Sequence, residues 1–331
     1  MRYSDIDFNT KTILITGGAG FIGSNLALYF QENYPNAKVV VFDRFRDETK
    51  LDNGNLLSFG HFKNLQDFTG EIITGDINSK EDLEKLSAFR FDYIFHQAAI
   101  SDTTVQNQKL VMQTNLEAFK DLLQKAKIDG AKMIYASSGA VYGKLPGPHK
   151  VGQEAPANVY GYSKLMMDHL ARKQKDVVAV GLRYFNVYGP REYFKQKTAS
   201  MVLQFGLQLL SGQKPRLFEG SEKIKRDFIF VEDVIQANIK ACEAKKNSVY
   251  NIGTGVARSF KEIVDILCKE LGIETEYEYI PNPYVKQYQF FTQADIEPTK
   301  QELGYEPRYS LEEGIKADIP YIKKIFEEEI E

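Results

Sequence analysis

Residues 13–25 read ILITGGAGFIGSN, with Gly17, Gly20 and Gly23 spaced G-x-x-G-x-x-G between an apolar run and an amphipathic stretch. Glycines at such a turn let backbone approach a ligand closely, and a helix starting there offers free N–H groups and a positive dipole end to a pyrophosphate. A glycine triplet alone is weak. Here strand, loop, helix, second strand and Asp43 fall in order, and Asp43 lies about 20 residues past the last glycine, where a ribose-binding acid is expected. The pattern points to a dinucleotide. Asp43 alone favours NAD, because a carboxylate repels a 2′-phosphate. Arg44, Arg46 and Lys50 follow, and any of them could neutralise that phosphate. The reading leans to NADP, with NAD as the alternative.

A second cluster runs YASSGAVYG (135–143) and NVYGYSK (158–164). Tyr160 and Lys164 are four apart and share one face of a helix. A phenol titrating near pH ~10 is a poor base at neutral pH. A lysine ammonium one turn away, beside a nicotinamide cation, would stabilise the phenolate and pull its pKa down. Lys164 could also bond the ribose hydroxyls. Ser138, ending a strand, sits where the ligand crevice of a parallel sheet opens, and its hydroxyl can hold a reacting oxygen. Tyr162 is two residues from Lys164 and points to another face. A Y-x-x-x-K pair alone is common on helix surfaces; after a glycine loop and a strand ending Ser137–Ser138 it reads as a site.

These residues need elements to hold them. Short, continuously apolar runs at Thr12–Thr16, Lys38–Phe42, Glu71–Thr74, Asp92–His96, Lys132–Ser137 and Val177–Tyr184 predict buried parallel strands. Helical patterns at Phe21–Glu32, Lys80–Ala88, Thr104–Ile128 and Val159–Arg172 alternate with them. That alternation predicts an α/β fold with a doubly wound, Rossmann-like parallel sheet. Residues 44–70 are polar and poorly periodic and read as an excursion. Beyond Asn186 prolines and aromatics interrupt the pattern. Helices are expected at Ala199–Leu210, Val231–Ala244, Phe260–Leu271 and Leu311–Phe326, with a strand at Val249–Ile252 that could rejoin the sheet. The expected organisation is a dinucleotide-binding domain over 1–185, with some later segments returning to it. Residues 186–331 then form a smaller α/β lobe, mainly for substrate.

Composition narrows the class. The 331 residues carry 42 Lys+Arg and 45 Asp+Glu, a formal charge of −3, which argues against nucleic-acid binding by electrostatic grip. No apolar run approaches the ~18 residues of a membrane span. The polar N-terminus, with Asp5 and Asp7, is unlike a secretory signal. Two cysteines, Cys242 and Cys268, make no disulfide framework, so a reducing cytoplasm is expected. No metal site is expected: HExxH and paired CxxC are absent, and His61, His96, His149 and His169 have no ligand spacing.

TGGAGFIG, FHQAA, ASSGAVYG, YGYSK and RYFNVYGPRE together resemble the extended short-chain dehydrogenases/reductases that act on nucleotide-sugars, over roughly residues 11–328. RYFNVYGPREYFKQKTAS, PRLFEGSEKIKRDFIFVEDV, NIGTG and QFFTQAD are similar, within that family, to the ADP-heptose 6-epimerases. The resemblance implies inversion of a carbinol by transient oxidation and re-reduction with one tightly bound NADP or NAD per subunit, an ADP-heptose substrate, a place in lipopolysaccharide core synthesis, and a homo-oligomer. One base per epimer is then economical: Tyr160 serves one and Lys195, after GPRE, the other. Lys197 stands where the family usually has a substrate-contacting serine, so either lysine is placed to approach the sugar, and Gln204 replaces a usual histidine.

For the ADP-sugar the resemblance carries over to Asn186, Phe218, Glu219, Gly220, Ser221, Arg226 and Tyr288, and for the cofactor to Phe21, Ile22, Asp43, Arg44, Lys50, Gln97, Ala98, Ala99, Asn115, Lys164 and Val187. Asp76 and Ile77, after a strand end, would sit by the adenine. Arg226 suits phosphate through its planar fork; its structural alternative is a salt bridge with Asp227 or Asp233. Competing readings are a UDP-sugar 4-epimerase, a dehydratase and a non-catalytic dinucleotide sensor. Dehydratase relatives usually place Asp–Glu just after the serine position, where this chain has Gly139 and Ala140. A sensor would be expected to lack Tyr160 or Lys164.

Overall fold

The computed structural model describes residues 1–281 and 290–330. Six strands precede residue 185: β1 Thr12–Thr16, β2 Lys38–Asp43, β3 Glu71–Thr74, β4 Tyr93–His96, β5 Lys132–Ser138 and β6 Ala179–Tyr184. Among the described residues six more follow: β7 Asn186–Tyr188, β8 Arg216–Phe218, β9 Lys225–Phe230, β10 Ser248–Ile252, β11 Ala257–Ser259 and β12 Glu278–Ile280. The main sheet has seven strands in the order β10-β6-β5-β4-β1-β2-β3, every neighbouring pair parallel. It is the doubly wound, Rossmann-like α/β sheet that the strand-helix alternation predicts. The chain winds outward from β1 through β2 to β3, then returns to β4 and winds the other way. The crevice at the carboxyl ends of β1 and β4 is therefore the switch point where such sheets hold ligands.

The pleat sorts the strand residues onto two cores. Ile13 and Ile15 face a layer with Phe30, Phe95 and Leu182, while Leu14 faces one with Phe42, Ile94 and Met133. A third core gathers Phe205, Phe228, Ile263, Leu267 and Ile322, where the helices Met201–Leu210, Phe260–Leu271 and Leu311–Glu329 pack together. Between the two halves, β7, β9 and β11 form a small mixed sheet, and β8 pairs with β12.

Several elements depart from the sequence pattern, and two of them bear on the site. The helix expected over Thr104–Ile128 starts at Gln108 and is interrupted by a π-helical segment, Gln113–Glu117. That extra residue turns Asn115 inward, where it is fully buried. Strand β9 is not announced by the sequence, because Lys225, Arg226 and Asp227 break its apolar run. The last two are nonetheless buried. Residues 44–70 hold little regular structure: a Lys50–Leu56 bridge and a 3-10 turn at Phe62–Leu65. Among the described residues no helix is long and apolar enough to cross a membrane.

Candidate active site

A cavity of about 1040 Å³ opens along the carboxyl ends of the sheet strands, large for a single small-molecule site at about 300–1,000 Å³. Its floor is the glycine turn. Gly17 has φ +68, and a Cβ there would come within 2.6 Å of the Ala98 amide nitrogen. A Cβ on Gly23 would come within 2.2 Å of the Gly17 carbonyl oxygen. These contacts seat the helix Phe21–Asn33 directly on the turn. Its cap, Gly20, offers no side chain to the first N–H groups, which stay available to an anion. Asp43, at the end of β2, accepts hydrogen bonds from Ala19 N at 2.9 Å and Phe45 N at 2.7 Å. Burial nevertheless pushes its carboxyl above the usual range. Beyond it Arg44 bridges Asp76 at 3.0 Å and Asp47 at 3.1 Å. The bare glycine cradle, the uncapped helix and the acid behind them fit a dinucleotide.

The Ser–Tyr–Lys cluster stands at the middle of the cavity. Asn158 caps the helix Val159–Arg172 through Gly161 N, so Tyr160 and Lys164 rise one turn apart from a fixed start. Tyr160 is 9% exposed and Lys164 2%. The Lys164 Nζ donates to the Ala136 carbonyl at 2.8 Å and lies 6.0 Å from the Tyr160 ring centroid. Burial lowers Lys164 to about 8, against the opposing pull of the Asp168 carboxylate. Burial raises the Tyr160 phenol, and a hydrogen bond from Ser138 opposes it. The ammonium is turned to a strand carbonyl, and desolvation of the phenol wins. Behind them His96 shares a 2.7 Å hydrogen bond with Thr16 Oγ1, and burial holds it neutral, lowered to about 3.

The opposite wall is the loop after β7. Glu192 is completely buried and accepts from Gly189 N, Ser200 N and Ser200 Oγ at 3.2, 2.6 and 2.7 Å, pinning both ends of the loop. Lys195 sits half-buried on it with its Nζ 5.5 Å from the Phe21 ring centroid. Burial lowers its pKa, and Glu192 opposes the shift. Lys197 is exposed on the same rim. From β9 the buried Arg226 reaches the cavity. Its neighbour Asp227 spends its carboxylate on Thr254 N, Thr254 Oγ1, Gly255 N and Ala294 N, and Asp233 accepts from Arg308 N and Tyr309 N.

The cavity gathers most of the residues singled out in the sequence. Gly17, Gly20, Phe21, Ile22, Gly23 and Asp43 line it, as do Arg44, Asp76, Ile77, Gln97, Ala98 and Ala99. Ser138, Tyr160 and Lys164 join Asn186, Val187, Lys195, Lys197 and Arg226. Others stand outside its wall. Lys50 is exposed on the excursion. The Asn115 amide bonds Ile100 and Ser163, behind Thr114, which does line the cavity. Gln204 props the loop by donating to the Ala199 carbonyl at 2.7 Å. Phe218 ends β8 and Glu219, Gly220 and Ser221 follow it, away from the lining, and Ser221 is buried. Tyr288 lies outside the described residues.

Sequence reasoning passed over the wall made by the excursion. Asn53 and Asn55 line the cavity, and both donate at 2.7 Å to Asp102, which also accepts from Thr104 N and Thr104 Oγ1. The signal available was LDNGNL, a turn-forming cluster inside an aperiodic stretch. Farther along, His61 stacks on Phe194, next to Lys195, at 3.6 Å between centroids.

Known proteins share this fold. The structure of Helicobacter pylori ADP-L-glycero-D-manno-heptose-6-epimerase is similar at 54% identity and TM-score 0.90, over 98% of this chain and 99% of that one. Thermotoga maritima UDP-glucose 4-epimerase, with UDP-glucose, is similar at 31% identity and TM-score 0.84, over 95% and 99%. Thermus thermophilus UDP-glucose 4-epimerase, in complex with NAD, is similar at 26% identity and TM-score 0.79, over 94% and 99%. A family profile matches residues 13–253. With its switch-point cradle and its Ser–Tyr–Lys cluster in one cleft, the chain belongs to the NAD dependent epimerase/dehydratase family.

Proposed function

We propose that this protein is an isomerase that converts ADP-D-glycero-D-manno-heptose to its L-glycero epimer at C6″, for lipopolysaccharide core synthesis. The observation that carries the reading is one cleft with a dinucleotide cradle on its floor, Ser138–Tyr160–Lys164 at its centre and Lys195 on the facing wall. The likeness to the Helicobacter pylori enzyme over nearly the whole of both chains supports the choice of sugar. An unactivated secondary carbinol resists direct proton abstraction, so it is oxidised to a planar carbonyl and reduced again from the other face.

The cradle would hold an NADP or NAD at Gly17–Gly23, Asp43, Arg44, Asp76 and Gln97, and when bound it supplies a hydride acceptor and donor and a positive charge near the phenol. Tyr160 takes the hydroxyl proton of one epimer, Ser138 orients the oxygen, and Lys164 stabilises the phenolate and holds ribose. Turned over, the sugar presents its other face, and its oxygen meets Lys195, or Lys197 on the same rim. Asn186 and Arg226 receive the sugar and phosphates; Arg226 can pair two phosphate oxygens. Residues 1–185 act as the dinucleotide-binding domain, joined by β10, and 186–331 mainly as the substrate lobe. We read the enzyme as cytoplasmic and homo-oligomeric. The two free cysteines, Cys242 buried and Cys268 partly buried, support the first of these.

The test is turnover of purified protein, without added cofactor, on each ADP-heptose epimer and on UDP-glucose. Interconversion of the ADP-heptoses alone is expected. Turnover of UDP-glucose alone would replace the reading with a UDP-sugar 4-epimerase.

A further inference from the structure

Asp168 lies one helical turn beyond Lys164 and does not reach the cavity. It is fully buried, and donors from two strands converge on it. Tyr135 Oη donates at 3.0 Å and Ser137 Oγ at 3.1 Å, both from β5. Arg183, from β6, donates through Nε at 2.9 Å and closes an ion pair through Nη2 at 2.8 Å. Ser137 and Arg183 are register partners across β5 and β6, so one carboxylate spans both strands at the level where β5 ends in Ser138. Arg183 is fully buried too, and its other arm meets Glu154 at 2.6 Å, with Glu154 10% exposed. Outward from the cleft the charges alternate: Lys164 positive, Asp168 negative, Arg183 positive, Glu154 negative.

That arrangement exceeds what packing a helix on a sheet requires. Apolar side chains would pack these elements as well, and a buried ion pair is often no more stabilising than its apolar replacement. We propose that Asp168 is a positioning residue for the reaction, bolting the helix that carries Tyr160 and Lys164 to the strand that carries Ser138, and keeping the Lys164 ammonium charged inside the wall. The inference rests on the catalytic reading of Tyr160 and Lys164. The bolt sets the Ser138–Tyr160 distance through Ser137, the residue next to Ser138. The charge row offsets the desolvation that pushes Lys164 down. The other titratable neighbours of Lys164 are Tyr160 on its own helix and His96 on β4, which is held neutral. Lys195, Lys197 and Arg226 face it across the cleft. Without Asp168, Lys164 and Arg183 would be two cations in one buried space.

Two readouts test this, and one needs no turnover: the pH titration of the Lys164 13Cε resonance, assigned with Lys164→Arg, and the pH profile of kcat. In Asp168→Asn the Lys164 midpoint should fall by about one pH unit or more. The alkaline limb of kcat should move down with it, and kcat at neutral pH should drop about tenfold with KM for the ADP-sugar little changed. Arg183→Met leaves the carboxylates in excess, so its midpoint should move up. Glu154→Gln, at the outer end, should give a smaller fall. Opposite shifts for Asp168→Asn and Arg183→Met would not arise from loosened packing. An unmoved Lys164 midpoint in folded Asp168→Asn overturns the proposal. Where that variant does not fold, an unmoved midpoint in Glu154→Gln overturns it. A midpoint that moves while the kcat limb stays fixed supports the charge row and instead refutes Lys164 as the group behind the limb.

Discussion

On the side of the cleft proposed for the cofactor the surface is backbone. Gly17 lies against the Ala98 amide and Gly23 against the Gly17 carbonyl, with no space for a Cβ at either. On the side proposed for the substrate the surface is side chains: Lys195 and Lys197 on a loop pinned by Glu192, and Arg226 from β9. A backbone wall presents the same amides whatever its neighbours are, but it tolerates almost no substitution. A side-chain wall can be retuned one residue at a time. The first suits a group common to a whole family and the second a substrate that differs among members, in keeping with UDP-sugar epimerases of the same fold at 26–31% identity.

The largest effect should come from breaking the backbone wall. Gly23→Ala should leave protein without retained dinucleotide, since the methyl must displace the Gly17 carbonyl; mass spectrometry of the purified variant checks this, and normal cofactor content would contradict the close approach. Tyr160→Phe should keep the dinucleotide and lose about 10²–10⁴-fold in kcat, because the phenolic oxygen carries the proton and little of the binding. Near-normal turnover would exclude it as a base. On the side-chain wall, Lys195→Met should abolish epimerisation yet leave partial oxidation through Tyr160, while Lys197→Met should mainly raise KM. Assaying each diastereomer with both variants decides, and a dead Lys197→Met beside an active Lys195→Met would exchange their roles. The smallest effect is expected from Arg44→Ala with Lys50→Ala, a several-fold weakening of NADP relative to NAD by titration. Arg44 already shares its charge with Asp76 and Asp47, and Lys50 stands outside the cavity wall. Equal losses for both cofactors would remove the 2′-phosphate role.

The same contrast explains what could be read without coordinates. The glycine turn, Asp43, Ser138, Tyr160 and Lys164 are set by local rules: strand length, helical spacing and a fixed offset from β1. The strands Thr12–Thr16 and Glu71–Thr74 and the helix Val159–Arg172 fall at the expected residues. Local rules stop where partners lie far away in the chain. Asn115 turns inward through a π segment that no spacing announces, and Gln204 props a loop instead of lining the cleft. Strand β9 exists because Asp227 finds donors on residues 254, 255 and 294. The excursion becomes a wall because Asp102 holds Asn53 and Asn55.

The two backbone amides that grip Asp43 matter to anyone wishing to redesign cofactor choice. Exchanging the acid after the second strand for a neutral residue is the obvious way to admit a 2′-phosphate. Here the same carboxylate ties Ala19 in the glycine turn to Phe45 at the mouth of the excursion, and Gly60 lies so close that a Cβ would come within 2.3 Å of its oxygen. An Asp43 replacement would therefore disturb the glycine turn together with the proposed ribose contact, and should weaken both cofactors. Changing preference in this protein has to leave Asp43 in place and recast other residues that line the cavity, Arg44 and Ser58 among them.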